Sequence, residues 1–182
     1  MNKVPVLDKG YVALFSNSIS NETFNTFRVW FSDKSDEKLL RTPTVHLMIK
    51  CPIFVRLIFA EHNLSTLVQN IKTVDAYIPK VNEIHAGDLK TSEEIQQNIE
   101  QTIEALLINP QSYQQDTCNT FISQVVSPIS IYNTVLVSGN LWQWIQFLKQ
   151  KNLPSPIEAY RKVIEDVITA EWYWVLDYIK EQ

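Results

Sequence analysis

The stretch Val45-His46-Leu47-Met48-Ile49-Lys50-Cys51-Pro52-Ile53-Phe54-Val55-Arg56-Leu57-Ile58-Phe59 decides how the chain is read. Val45 to Ile49 predicts a short strand. Pro52 sits where a first helical turn tolerates proline. Ile53 to about Leu67 then predicts a largely apolar helix, and its face of Phe54, Leu57, Ile58 and Leu64 belongs in a core. Working towards the N-terminus, Asp33 to Lys38 reads as a charged, solvated connector. Before it, Ser20-Asn21-Glu22-Thr23 opens a short helix bearing Phe24, Phe27 and Trp30. Val4 to Ser16 reads as strand around a turn at Asp8-Lys9-Gly10.

In the other direction, Ile71 to Ile78 reads as a strand and Pro79 to Lys90 as a polar loop. Thr91-Ser92-Glu93-Glu94 has the form of a capping box. Ile95, Ile99, Ile103, Leu106 and Leu107 form a helical stripe that Asn109-Pro110 ends. Another helix follows to about Val126, broken by Ser127-Pro128. Ile129 to Val137 reads as a β-branched strand, and Gly139-Asn140 turns into a helix over Leu141 to Lys151. Past Pro154 and Pro156, a last helix places Ile157, Tyr160, Val163, Ile164, Val167 and Ile168 on one face. The aromatic end, Trp172, Tyr173, Trp174 and Tyr178, suits core packing or an oligomer interface. This order of elements predicts an α+β fold in a single domain over 1–182, with a small, mostly antiparallel sheet packed with helices.

Composition narrows function. The chain has 182 residues, 45% of them hydrophobic and 20% charged, which suits one domain with its own core. Only three glycines occur, Gly10, Gly87 and Gly139, and they lie far apart. A dinucleotide fingerprint or a P-loop needs clustered glycines, so any phosphate must be held by side chains. Sixteen basic against twenty acidic residues leave a net charge of −4, with no basic patch for a nucleic acid. No apolar run reaches a membrane span. The start lacks a signal-peptide pattern, so a cytoplasmic location is expected. Cys51 and Cys118 lack metal spacing and read as buried thiols. His46, His62 and His85 share no ligand spacing, so no metal is expected. No nucleophile elbow occurs. The pairs Glu93/Glu94 and Glu165/Asp166 read as solvated helix faces.

Several segments, taken together and in order, resemble the flavin-dependent thymidylate synthases, the ThyX family. Val6-Leu7-Asp8-Lys9-Gly10-Tyr11-Val12-Ala13-Leu14 is similar to the family's first strand pair. Phe27-Arg28-Val29 sits at its Ala-Arg-Val-Ser segment. Lys50-Cys51-Pro52-Ile53-Phe54-Val55 resembles Lys-Ala-Pro-Ile-Phe-Val, and Tyr77-Ile78-Pro79 resembles Phe-Tyr-x-Pro. Pro128-x-Ser130-x-Tyr132, Ser138-Gly139-Asn140-Leu141-Trp142-Gln143-Trp144 and Phe147-Leu148-Lys149-Gln150-Lys151 resemble the C-terminal motifs. The resemblance implies an α+β homotetramer that holds flavin and nucleotide between subunits. It also implies methylation of dUMP to dTMP with methylenetetrahydrofolate, FAD and NADPH.

The family's site residues carry over only in part. Its Arg-His-Arg falls on Glu61, His62 and Asn63, which the resemblance makes cofactor-binding positions. Its substrate positions fall on Thr66 (Ser65 with a one-residue slip), Gln69, Ile71 and Thr73, then on Asn140, Trp142, Gln146 and Lys151. The Ala-Gln-x-Glu that follows falls on Pro156-Ile157-Glu158-Ala159. Arginine matches phosphate bidentately. With Glu61, Asn63, Thr73 and Trp142 in its place, each lost charge-assisted bond costs about 1.5–3 kcal/mol. The resemblance implies FAD as cofactor, but these replacements argue against it, and they point to a protein without thymidylate synthase activity. It would act as a structural or regulatory partner, as a homo-oligomer or beside a related subunit, or bind another ligand in the inherited cleft.

The alternative is an active synthase-like enzyme in which Lys50, Arg56, Lys72, Lys151 and Arg161 supply the phosphate contacts. His62 reads either as a flavin contact or as a partly buried helix histidine. Asn140 and Gln146 read as base contacts or as a cap and a solvated residue. Lys151 reads as an anion site or as the basic residue a helix C-terminus favours.

Overall fold

Alternation of buried and half-buried residues identifies the central strand. Val45, Leu47, Ile49 and Cys51 are fully buried along one face, with Thr44, His46, Met48 and Lys50 half-buried on the other. This is the two-residue period of a strand covered mainly on one side. In the computed structural model, which describes residues 1–30, 36–69, 75–84, 89–108 and 130–180, this strand is β3 (Thr44–Pro52). It joins β1 (Val4–Val6), β2 (Gly10–Asn17), β4 (Ser65–Val68) and β5 (Tyr132–Asn140) in a sheet of order β1-β2-β3-β5-β4. The pairs β1–β2, β2–β3 and β4–β5 are antiparallel. The α+β class expected from the sequence is the one observed. Contacts divide the chain into two compact units, Met1–Ile71 with Asn133–Gln182, and Lys72–Tyr132.

In the first unit, α1 (Asn21–Trp30) and α2 (Asp36–Leu40) precede β3, and α3 (Ile53–Glu61) follows it. The C-terminal part carries α5 (Leu141–Leu148), α6 (Ser155–Glu171) and α7 (Val175–Lys180). Trp144, Ile145 and Phe147 of α5 and Tyr160, Ile164 and Ile168 of α6 join the buried strand face in one core. Each such side chain contributes about 1.5–3 kcal/mol by leaving water. The Trp144 indole N–H donates to the Val45 carbonyl at 3.3 Å, so its polar edge is not buried unpaired. The aromatic end is core: Trp172 and Trp174 are buried, and Trp174 stacks on Phe24 at 4.6 Å, while Tyr173 is exposed.

The second unit contains a 3₁₀ turn (Val81–Glu83) and α4 (Leu89–Ile108). Ala76 bridges Ile131, and Ile103 is buried. The expected helix to Val126 and the residues Lys72, Thr73, His85 and Cys118 lie outside the described residues.

Three expectations are corrected. The helix after Pro52 ends at Glu61 rather than near Leu67, and Ser65–Val68 pairs with β5 instead. Asp36–Leu40 of the charged connector is helical. Thr91-Ser92-Glu93-Glu94 lies inside α4, which begins at Leu89; the Ser92 hydroxyl donates to the Ile84 carbonyl at 3.0 Å instead of capping.

Candidate functional site

The C-terminal end of α3 builds one wall of a cleft. The Leu64 N–H donates to the Phe59 carbonyl at 3.0 Å, and the Asn63 N–H donates to the Ala60 carbonyl at 3.1 Å. Asn63 is left-handed, with φ of 56°. These bonds form a Schellman stop, in which asparagine tolerates the left-handed position and a residue past it packs back on the last turn. Leu64 and Phe59 share the buried core and supply that packing.

The opposite wall is the start of α5. Asn140 caps it: its Oδ1 accepts from the Gln143 N–H at 2.9 Å, and its own N–H donates to Gln143 Oε1 at 2.8 Å. This is the reciprocal pattern of a capping box. The Gln143 Nε2 then donates across the cleft to the Asn63 carbonyl at 2.8 Å. One amide thus ties two walls that lie 80 residues apart in the chain.

The cleft has a volume of about 390 Å³ and is lined by Arg41, Glu61, His62, Asn63, Asn140, Trp142, Gln143 and Gln146. That is the small end of the range of ligand clefts, about 300–1,000 Å³. Trp142 and Gln146 stand one turn apart on α5, so an indole and a primary amide line the same wall. His62 packs edge-on against Phe147 at 5.6 Å, and its Nε2 is buried without a hydrogen-bond partner. Its ring position is therefore set largely by packing.

Of the positions singled out from the sequence, Glu61, His62, Asn63, Asn140, Trp142 and Gln146 meet in this cleft. Thr66 lies on β4 opposite Val137, Gln69 is exposed just beyond that strand, and Lys151 is exposed beyond α5; none of these lines the cleft. Arg41 and Gln143 line it as well, beyond the positions the resemblance singles out. Arg41 lies in a polar connector with no motif around it, whereas Gln143 stands three residues after a cap residue, a spacing that signals the capping box.

Arg161 is committed elsewhere. Its Nε and Nη2 donate to the two oxygens of Glu158 at 2.8 Å each, and its Nη1 donates to Glu165 at 2.8 Å and to the Leu148 carbonyl at 3.1 Å. The Arg161 hydrogen bond holds the Glu158 carboxyl below its usual value despite some desolvation. Burial pushes the Cys51 thiol up to about 12, slightly opposed by Arg56. Among the described residues no group of histidine, cysteine and carboxylate side chains could hold a metal ion. No described helix is long and apolar enough to cross a membrane.

No protein-family model matches the sequence, and no curated protein does either. Solved structures do match in fold. The UMP/dUMP methylase PolB from Streptomyces cacaoi, bound with 5-Br UMP, superposes with a TM-score of 0.69 at 14% identity, covering 90% of each chain. The same methylase bound with 5-Br dUMP gives 0.71 at 13% identity, covering 92% of this chain and 93% of the other. At this identity the likeness establishes a shared fold.

Proposed function

We propose that this chain is a divergent relative of the flavin-dependent thymidylate synthases that binds a pyrimidine ligand without carrying out methyl transfer. The observation that carries this reading is the cleft itself. The positions where the resemblance expects arginines, Glu61, Asn63 and Trp142, line one cavity with His62, Asn140 and Gln146. Solved structures of the same fold hold 5-Br UMP and 5-Br dUMP, which supports a pyrimidine as the ligand class.

The lining residues do not fit a flavin dinucleotide. Among the described residues Arg41 is the one guanidinium lining the cleft, and the Glu61 carboxylate lines it too. A pyrophosphate needs several charge-assisted donors. Arg161, a candidate for that task in an active enzyme, is occupied by two carboxylates. The chain's own residues offer binding: Trp142 a face for stacking, Gln146 an amide donor and acceptor, and Gln143 a tie that holds the walls together.

The same reading takes the chain as one folded domain and a cytoplasmic homo-oligomer, or a partner of a related active subunit. Light scattering on the purified protein checks the assembly. The decisive experiment combines visible absorbance after FAD addition with a methyl-transfer assay on dUMP, methylenetetrahydrofolate and NADPH. The expected result is a colourless protein, no dTMP, and thermal stabilisation by a pyrimidine ligand. A yellow protein that forms dTMP refutes the proposal.

A further inference from the structure

We infer that the cleft selects an uncharged pyrimidine, a nucleoside or free base, over the phosphorylated nucleotide. This rests on the reading of the cleft as a pyrimidine site and narrows it by charge. Three features of the walls disfavour an anion.

The first is the end of α3. A helix C-terminus carries the negative end of the macrodipole. Here Glu61, His62 and Asn63 present that end to the cleft, with the Glu61 carboxylate added to it. The second is the start of α5. A helix N-terminus binds phosphate through unpaired backbone N–H groups. In α5 the Leu141 N–H donates to the Pro43 carbonyl at 2.9 Å, and the Gln143 N–H is taken by the Asn140 cap. Two of the first three donors are thus consumed inside the protein. The third is the balance of charge: Arg41 shares the cleft with the opposite charge of Glu61 and is itself already engaged within the protein.

What remains suits a neutral, planar heterocycle. The Gln146 amide has no hydrogen-bond partner among the described residues, and neither does the Asn140 Nδ2. A primary amide offers one acceptor and two donors side by side, which matches the N–H and C=O edge of a uracil ring. Trp142, half-buried one turn before Gln146, supplies an aromatic face beside it.

The test is calorimetric titration of the full chain with uracil, uridine and UMP in the same buffer. Uridine is expected to bind about tenfold tighter than UMP, a difference of about 1.4 kcal/mol. Equal or tighter binding of UMP overturns the inference while leaving the pyrimidine-binding reading intact. Absence of binding by all three overturns both. Glu61→Arg, at an exposed position, is expected to shift the UMP-to-uridine affinity ratio towards UMP by about tenfold; an unmoved ratio removes the electrostatic cause. Gln146→Leu is expected to weaken uridine at least tenfold with the melting temperature held, and unchanged uridine affinity refutes the amide contact.

Discussion

Replacing Gly10 by alanine probes the seam between the sheet and α6. An added Cβ would lie 1.9 Å from the Tyr160 hydroxyl oxygen and 2.8 Å from the Lys50 and Val6 carbonyl oxygens. The first separation is impossible, so the Tyr160 side chain must withdraw. That hydroxyl donates to the Lys50 carbonyl at 2.7 Å, and the ring is fully buried. Losing the bond costs about 0.5–1.5 kcal/mol. Forcing a fully packed ring aside costs about 1–3 kcal/mol more. Gly10→Ala should therefore destabilise the protein by about 2–4 kcal/mol, a large part of the ~5–15 kcal/mol typical of a whole domain. Urea unfolding followed by tryptophan fluorescence reads this directly, and at ~2–3 kcal/mol per molar the midpoint should fall by roughly 1 M. The cycle with Tyr160→Phe isolates the cause. With the hydroxyl gone, the same glycine substitution should cost about 1–2 kcal/mol less, because only the two carbonyl contacts remain. An unchanged midpoint in Gly10→Ala, or strictly additive single and double substitutions, refutes this account of the seam.

Asn63→Gly should leave stability unchanged or raise it slightly, whereas Asn63→Val should cost about 1–2 kcal/mol, since φ of 56° is strained for a β-branched residue; thermal melts of the two variants decide it. Because the Arg161 hydrogen bond lowers the Glu158 pKa, the pair's contribution is present above the usual value of 4.5 and is lost as pH falls through the lower folded value. Glu158→Gln should accordingly flatten the acid limb of stability against pH. The Cys51 thiol, raised to about 12 by burial, stabilises the fold fully below 9.0, and that contribution is lost as pH climbs from 9.0 towards 12. A thiol reagent at pH 8 should modify Cys51 only after urea unfolding, and rapid modification of the native protein would show the site to be open.

Local pattern carried much of the architecture. The Val4–Ser16 hairpin, the strand before Pro52, the cap at Asn140 and the α6 stripe all follow from turn residues and periodicity, and they appear close to where the pattern puts them. Ser65–Val68 departs from its local pattern. Its residues continue the apolar run after Pro52, so the run looks like one helix. The helix stops at Glu61 because Leu64 buries itself against Phe59 and because β5 offers Ser65–Val68 a hydrogen-bonding partner about 70 residues away. Neither influence is local. The capping-box expectation at Thr91 failed for a similar reason: Ser92 finds the Ile84 carbonyl, so the motif lies inside a helix that begins earlier.

The site divides in the same way. The α+β class, the absence of a glycine loop for phosphate, and the residues that stand where the family resemblance expects arginine can all be read along the chain. Those are properties of composition, spacing and order. It takes the folded chain to bring Glu61, His62 and Asn63 opposite Asn140, Trp142 and Gln146, to add Arg41 to them, and to leave Thr66, Gln69 and Lys151 outside. The walls are the end of one helix and the start of another, from distant parts of the chain. They are brought together by the burial of Leu64 and Trp144 and by one glutamine amide bridging them.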